Sequence, residues 1–230
     1  MVLAPAIMDG LTPEMEKIAE MELGETPQIK KESLEKLKKL IEQEPDFYPF
    51  MDDKFLLMFL RCKKHDVHKA FKALRRYYLF KEKYSRVYTD FLPSELKHVM
   101  DVNCYANMHF RDGDGRLVAI FRVGHCRRNG VSAEDIFAAV MTAGLLSCRL
   151  KASSVCGCVL IYDLKDLSLE DIYRLASPKF ITFVLYGVQD CLPFRLRSIH
   201  IVNETALFGT FYNMIKFAVP KKLKERIMMP

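Results

Sequence analysis

Two short runs, Gly157 to Tyr162 and Ile199 to Val202, carry apolar residues on both faces, so any strand they form must be covered on both sides. A strand with one wet face alternates apolar and polar residues; one without that alternation lies inside a parallel sheet, under helices or against an enclosed space. Parallel neighbours need long crossovers, which predicts an α/β layer around these runs.

The chain ahead of them is helical in pattern. Leu34, Leu37, Leu40 and Ile41 recur at helical spacing from Ile29, and the run stops at Pro45. Asp52 and Asp53 can cap a second helix whose Phe55, Leu56, Phe59 and Leu60 share a face and which ends near Arg61 and Cys62. Asp66 opens a third, striped by Val67, Ala70, Phe71, Leu74, Tyr77 and Tyr78. Residues 1–27, acidic and broken by Gly10, Pro13, Gly24 and Pro27, read as a loose tail with one short helix around Glu14 to Leu23. Residues 28–89 then form a helical module, and the pattern changes to β-rich runs beyond Leu92-Pro93, giving a second domain over 90–230.

In that domain Tyr105 to Phe110 and Leu117 to Val123 flank Asp112-Gly113-Asp114-Gly115, a hairpin turn signal. A helix from Ser132 to about Leu150, helical stretches between Ser168 and Gln189, and the strand Ser198 to Val202 follow. No apolar stretch approaches the roughly 20 residues needed to cross a hydrocarbon layer, and the apolar start has no basic flank, so a cytosolic protein is expected. Seven scattered cysteines fit reduced, mostly buried thiols. Of the net charge of +6, the first 50 residues hold six basic against eleven acidic groups, leaving 29 against 18 beyond them. The basic body suits an anionic partner or is a solvated face.

Signals for catalysis are missing: there is no glycine-rich phosphate loop, no G-x-S-x-G and no H-E-x-x-H. Asp112 and Asp114 suggest a calcium loop, yet Val123 stands where a bidentate Glu is needed. Cys156 and Cys158 share a strand face without further metal ligands, and His65 and His68 read as a surface pair. No catalytic residue, metal or cofactor is expected, and no recognition helix supports nucleic-acid binding.

The stretch Asp190-Cys191-Leu192-Pro193-Phe194-Arg195-Leu196-Arg197-Ser198-Ile199-His200-Ile201-Val202-Asn203 closely resembles the diagnostic segment of CRAL-TRIO lipid-binding proteins. Asp53 to Arg61 with Tyr77-Tyr78, then Ile161 to Leu164, then Met214-Ile215-Lys216 leading to Lys222 to Ile227, follow that family in order. The likeness runs from about Ile29 to Ile227 and is strongest to the branch of α-tocopherol transfer and retinaldehyde-binding proteins. It implies a small N-terminal helical module and a lipid-binding domain with a sheet as pocket floor and a mobile helical lid.

The resemblance also implies residue roles. Basic residues matching Arg61, Arg195, Arg197, Lys222 and Arg226 hold a phosphoinositide headgroup in that branch, and each is a cation here. Pocket positions carried over are Phe137, Met141, Tyr162, Val184, Val188, Leu192, Phe194, Leu196 and Ile199. The tocopherol branch has serines where Val140 and Gly144 stand, which leaves Cys158 and Tyr162 to set a polar end. For the lid, Leu207, Phe208, Phe211, Met214 and Ile215 lie within a helix that is apolar on more than one side; it either covers a ligand and meets a membrane or is buried in the core. Phe217 replaces the family's usual proline, and the chain stops at Pro230 before a further strand and loop, so an incomplete pocket and reduced stability are expected.

The expected protein is thus a monomer that carries a hydrophobic lipid, of tocopherol, retinoid or phospholipid type, between membranes. It would dock reversibly on phosphoinositide-bearing surfaces, each cation contributing about 1 kcal/mol. The alternative is a phosphoinositide-sensing module that binds membranes and a protein partner without moving cargo.

Overall fold

The computed structural model describes residues 3–8, 10–175, 177–187, 191–217 and 219–229. Its centre is a five-stranded sheet in the order β1 (Tyr105–Asn107), β2 (Leu117–Arg122), β3 (Cys158–Asp163), β4 (Leu196–Val202), β5 (Ile227–Met228). Only β1 and β2 are antiparallel; β3 lies between two parallel neighbours, as its two dry faces require. The turn between β1 and β2 is closed over Asp112 to Arg116, where Asp112 N–H donates to Arg116 O and Asp112 Oδ1 accepts from the N–H groups of both Asp114 and Arg116.

Helices α1 (Pro13–Leu23), α2 (Pro27–Glu42), α3 (Asp53–Cys62) and α4 (Val67–Tyr84) come first. The short α5 (Lys97–Asp101) precedes the sheet. Within the α/β layer lie α6 (Val123–Arg128), α7 (Ala133–Arg149), α8 (Lys151–Cys156), α9 (Leu169–Leu175) and α10 (Pro178–Tyr186). Beyond β4 come α11 (Ala206–Ile215) and α12 (Lys221–Lys224). Side-chain caps start many of them: Asp52 accepts from Phe55 N–H, Asp66 from Lys69 N–H and Ser132 from Asp135 N–H.

Cys156 ends α8 and so shares no strand face with Cys158, and three further expectations need correction. The tail is not loose, for Met15, Ala19 and Leu23 on α1 are buried against Ala152, Val155 and Cys156 of α8. Thr-Pro pairs start both α1 and α2, with Thr12 and Thr26 as caps and Gly24 at φ 65° between them. Second, Cys104 and Cys126 form a disulfide, since β1's approach and α6 bring their Cα atoms to 5.3 Å; the other five cysteines are not disulfide-bonded. Third, His65 is no surface residue: its side chain is 3% exposed and lies between Ser33 and Glu25.

Among the described residues no helix is long and apolar enough to cross a membrane.

Candidate functional site: a dry cavity beside an arginine cluster

One face of the sheet is left partly uncovered by protein atoms. Leu117, Ala119 and Phe121 of β2 and Cys158, Leu160 and Tyr162 of β3 floor a cavity of about 180 Å³, because alternate residues of a strand point the same way. On β4 the alternation breaks: Cys158 pairs with Leu196 but Val159 pairs with Ser198, so Arg197 is the extra residue of a bulge. That shift is why both Leu196 and Ile199 reach the cavity wall. Gly157, at φ 92°, opens this corner, with Arg195 O and the Arg197 side chain pressed where a Cβ would stand.

Phe137, Met141, Gly144 and Cys148 of α7 and Phe183 and Val184 of α10 form the opposite wall, closed by Leu192 and Phe194. Phe194 lies so near Gly144 that a Cβ there would sit 2.9 Å from its ring. A serine at this position, as in the tocopherol branch, would have to push that ring aside.

A second cavity, about 220 Å³, lies under α11, with Phe208, Phe211 and Ile215 in its wall. It shares Phe137, Tyr162, Val184, Ile199 and Leu223 with the first. Each is small beside the roughly 300–1,000 Å³ of typical ligand pockets, but the two adjoin at those shared side chains. Of the nine pocket positions carried over from the resemblance, eight lie in the wall of the first cavity, as does Cys158, and Val188 falls outside the described residues. The side chains of Leu207 and Met214 on α11 are likewise not described. Sequence reading missed Leu160, Phe183 and Phe80, which look like ordinary core residues until the sheet places them around the space.

The Tyr162 phenol and the thiols of Cys148 and Cys158 in the wall stay neutral. Burial pushes the Tyr162 phenol up to about 12, and Cys158 nearby adds to the shift. The Cys158 thiol is also pushed up to about 12 by burial, with Arg197 and Arg226 opposing. Burial raises Cys148 well above the ordinary thiol range. An enclosure lined mainly by hydrocarbon, with the phenols of Tyr105 and Tyr162, thiols and the hydroxyls of Ser147 and Ser153, can take an apolar guest with a hydroxyl or carbonyl end.

The five cations of the resemblance occupy two environments. Arg195 and Arg226 reach the wall of the first cavity, so the basic cluster sits at one end of it. Lys222 and Arg226 are exposed on and after α12. Arg61 is only 4% exposed. Its Nε donates to Glu25 Oε2 at 2.7 Å, its Nη2 to Glu25 Oε1 at 2.8 Å and its Nη1 to Ser154 Oγ at 2.7 Å. In this arrangement it cannot reach an outside anion. Arg195 Nη2 donates to Glu22 Oε2 at 2.8 Å, Arg197 Nη2 donates to the same oxygen, and Arg197 Nε donates to Cys156 O at 2.8 Å. Glu22 and Glu25 were not foreseen as part of this cluster; the acidic bias of the first 50 residues and the Met15, Ala19, Leu23 spacing were the available signals. Among the described residues no group of His, Cys, Asp and Glu could hold a metal ion.

Compared with known proteins, residues 102–229 match the family model described as CRAL/TRIO domain. The chain is 25% identical over 223 residues to clavesin-1 of Pongo abelii, covering 96% of this chain and 63% of that protein. It is 28% identical over 228 residues to alpha-tocopherol transfer protein-like of Homo sapiens, covering 98% and 66%. The chain therefore spans just under two thirds of the length of these relatives. The crystal structure of Sfh5 aligns over 96% of this chain and 82% of that one, at 15% identity and a TM-score of 0.44.

Proposed function

The chain belongs to the CRAL/TRIO domain family, and from that footing we propose that it encloses one hydrophobic lipid and carries it through the cytosol between membranes, without covalent chemistry. The observation that carries this reading is the sheet-floored cavity and its neighbour under α11, which share five side chains and are walled mainly by apolar groups. A guest displacing those side chains would occupy both spaces. Moving about twelve methylenes through water costs on the order of 10 kcal/mol, so a carrier needs a dry enclosure of this kind.

In this reading α11 is the lid. Its Phe211 is buried over the second cavity and Phe208 and Ile215 flank it, so closing in water hides apolar surface, whereas a bilayer offers those rings another apolar partner. The cations Arg195, Arg197, Lys222 and Arg226 would meet a phosphoinositide headgroup at the cavity's end, with Arg61 held behind them by Glu25. The alternating register of the chain thus turns one sheet face into a floor and its bulged corner into an anion seat.

The test is transfer of a fluorescent hydrophobic lipid across a dialysis gap between donor and acceptor vesicles. Carriage predicts delivery that speeds up when the acceptors contain phosphoinositide. Vesicle binding with no lipid delivered across the gap would overturn carriage and assign the chain to membrane sensing.

A further inference from the structure

The arginine seat is already filled, and it is filled from within the chain. One oxygen of Glu22 accepts from both Arg195 and Arg197, the arrangement in which a phosphate oxygen bridges two guanidinium groups. Burial works against the charge on Glu22, yet the two arginines hold its carboxyl below the ordinary range.

Glu22 arrives from 173 residues away, on a helix fixed to α8 by Met15, Ala19 and Leu23. The two acids of this segment differ in freedom. The Glu25 side chain is 7% exposed and grips Arg61 with both oxygens, whereas that of Glu22 is 41% exposed at the rim. A rotamer change would swing Glu22 into water without moving α1, and would uncover Arg195 and Arg197 together.

We propose that Glu22 is an internal competitor for the headgroup seat: a phosphorylated ligand must displace this carboxylate, so the N-terminal helix sets the threshold for docking. The inference rests on the headgroup reading above and adds its regulation.

The experiment measures binding of the full chain to phosphatidylcholine vesicles containing phosphatidylinositol bisphosphate, and to soluble inositol trisphosphate. Glu22→Gln should bind both roughly two- to five-fold more tightly, the scale expected for removing one partly exposed ion-paired competitor. Glu16→Gln removes the same charge from an exposed position on the same helix and should leave both affinities unchanged.

Unchanged binding by Glu22→Gln, with binding lost in Arg197→Gln, would overturn the competitor and leave the headgroup reading intact. An equal gain in Glu16→Gln, or a gain on vesicles alone, would assign the effect to bulk charge and overturn it too. Failure of the parent chain and Glu22→Gln alike to bind either probe would remove the headgroup reading and the competitor with it. Arg226→Gln, at an exposed position, replaces Arg197→Gln should that variant not fold.

Discussion

The carboxylate of Glu25 and the guanidinium of Arg61 meet edge to edge, Nε to Oε2 at 2.7 Å and Nη2 to Oε1 at 2.8 Å, with side chains 7% and 5% exposed. His65 Nε2 lies 3.0 Å from the same carboxylate and its Nδ1 lies 2.8 Å from Ser33 Oγ. Ser154 takes the remaining arginine nitrogen at 2.7 Å. The link between α1 and α2 is thereby tied to α3 and α8, which sets the N-terminal segment against the rest of the molecule.

Removing one member of such a buried pair leaves the other charged, enclosed and unpaired. Glu25→Ala is therefore expected to lower the unfolding free energy by about 3–5 kcal/mol. Urea titration measures it, and a loss under about 1 kcal/mol would show that the pair does not anchor the segment.

The same carboxyl gives an acid dependence of known sign. Burial would raise its pKa, but the hydrogen bonds and charges of Arg61 and His65 overcome burial and hold it at about 2, against an ordinary 4.5. The unfolded chain therefore takes up this proton first, so the stabilisation is whole above about 4.5 and fades as pH falls toward about 2. Urea midpoints followed over that range should fall more steeply for the parent chain than for Glu25→Ala. Parallel curves would remove Glu25 as the source.

Val184 on α10 is a wall of both cavities. Val184→Trp should fill the passage between them and abolish uptake of a fluorescent hydrophobic lipid, with stability changed by less than about 2 kcal/mol because the ring enters empty space. Undiminished uptake would place the guest elsewhere.

Gly157 has φ 92°, and Arg195 O lies 2.3 Å from where a Cβ would stand. Gly157→Ala adds backbone strain and a collision at the β3–β4 bulge, with an expected loss of roughly 2 kcal/mol or more. Thermal unfolding reads it directly. A variant as stable as the parent would mean the corner can relax without losing register.

Gly144 allows the Phe194 ring to close the cavity wall. Gly144→Ser should displace that ring and shift selectivity toward ligands with a polar end, seen as a changed ratio of affinities for a long-chain alcohol and the matching hydrocarbon. An unchanged ratio would detach ligand choice from this position.

Much of the fold was legible because its causes are local. Asp52, Asp66 and Ser132 cap helices through bonds three residues long, and the double-faced run at β3 could only be an interior strand. The tail was misread because three small apolar contacts spaced through acidic sequence do not reveal the α8 surface that buries them. The pairing of Cys104 with Cys126, and the burial of His65, were hidden for the same reason: each depends on an approach that no spacing encodes.

Local pattern was enough to fix the long helices, the two interior strands and the concentration of opposite charge at the two ends of the chain, but not the short elements α5, α6, α8, α12 and β5. Only packing in space leaves an opening above the sheet, turns Leu196 and Ile199 into it through the β4 bulge, and brings Glu22 between Arg195 and Arg197. Propensity and periodicity act over a few residues along the chain, whereas packing voids and ion pairs depend on distances in space between residues that the chain holds far apart.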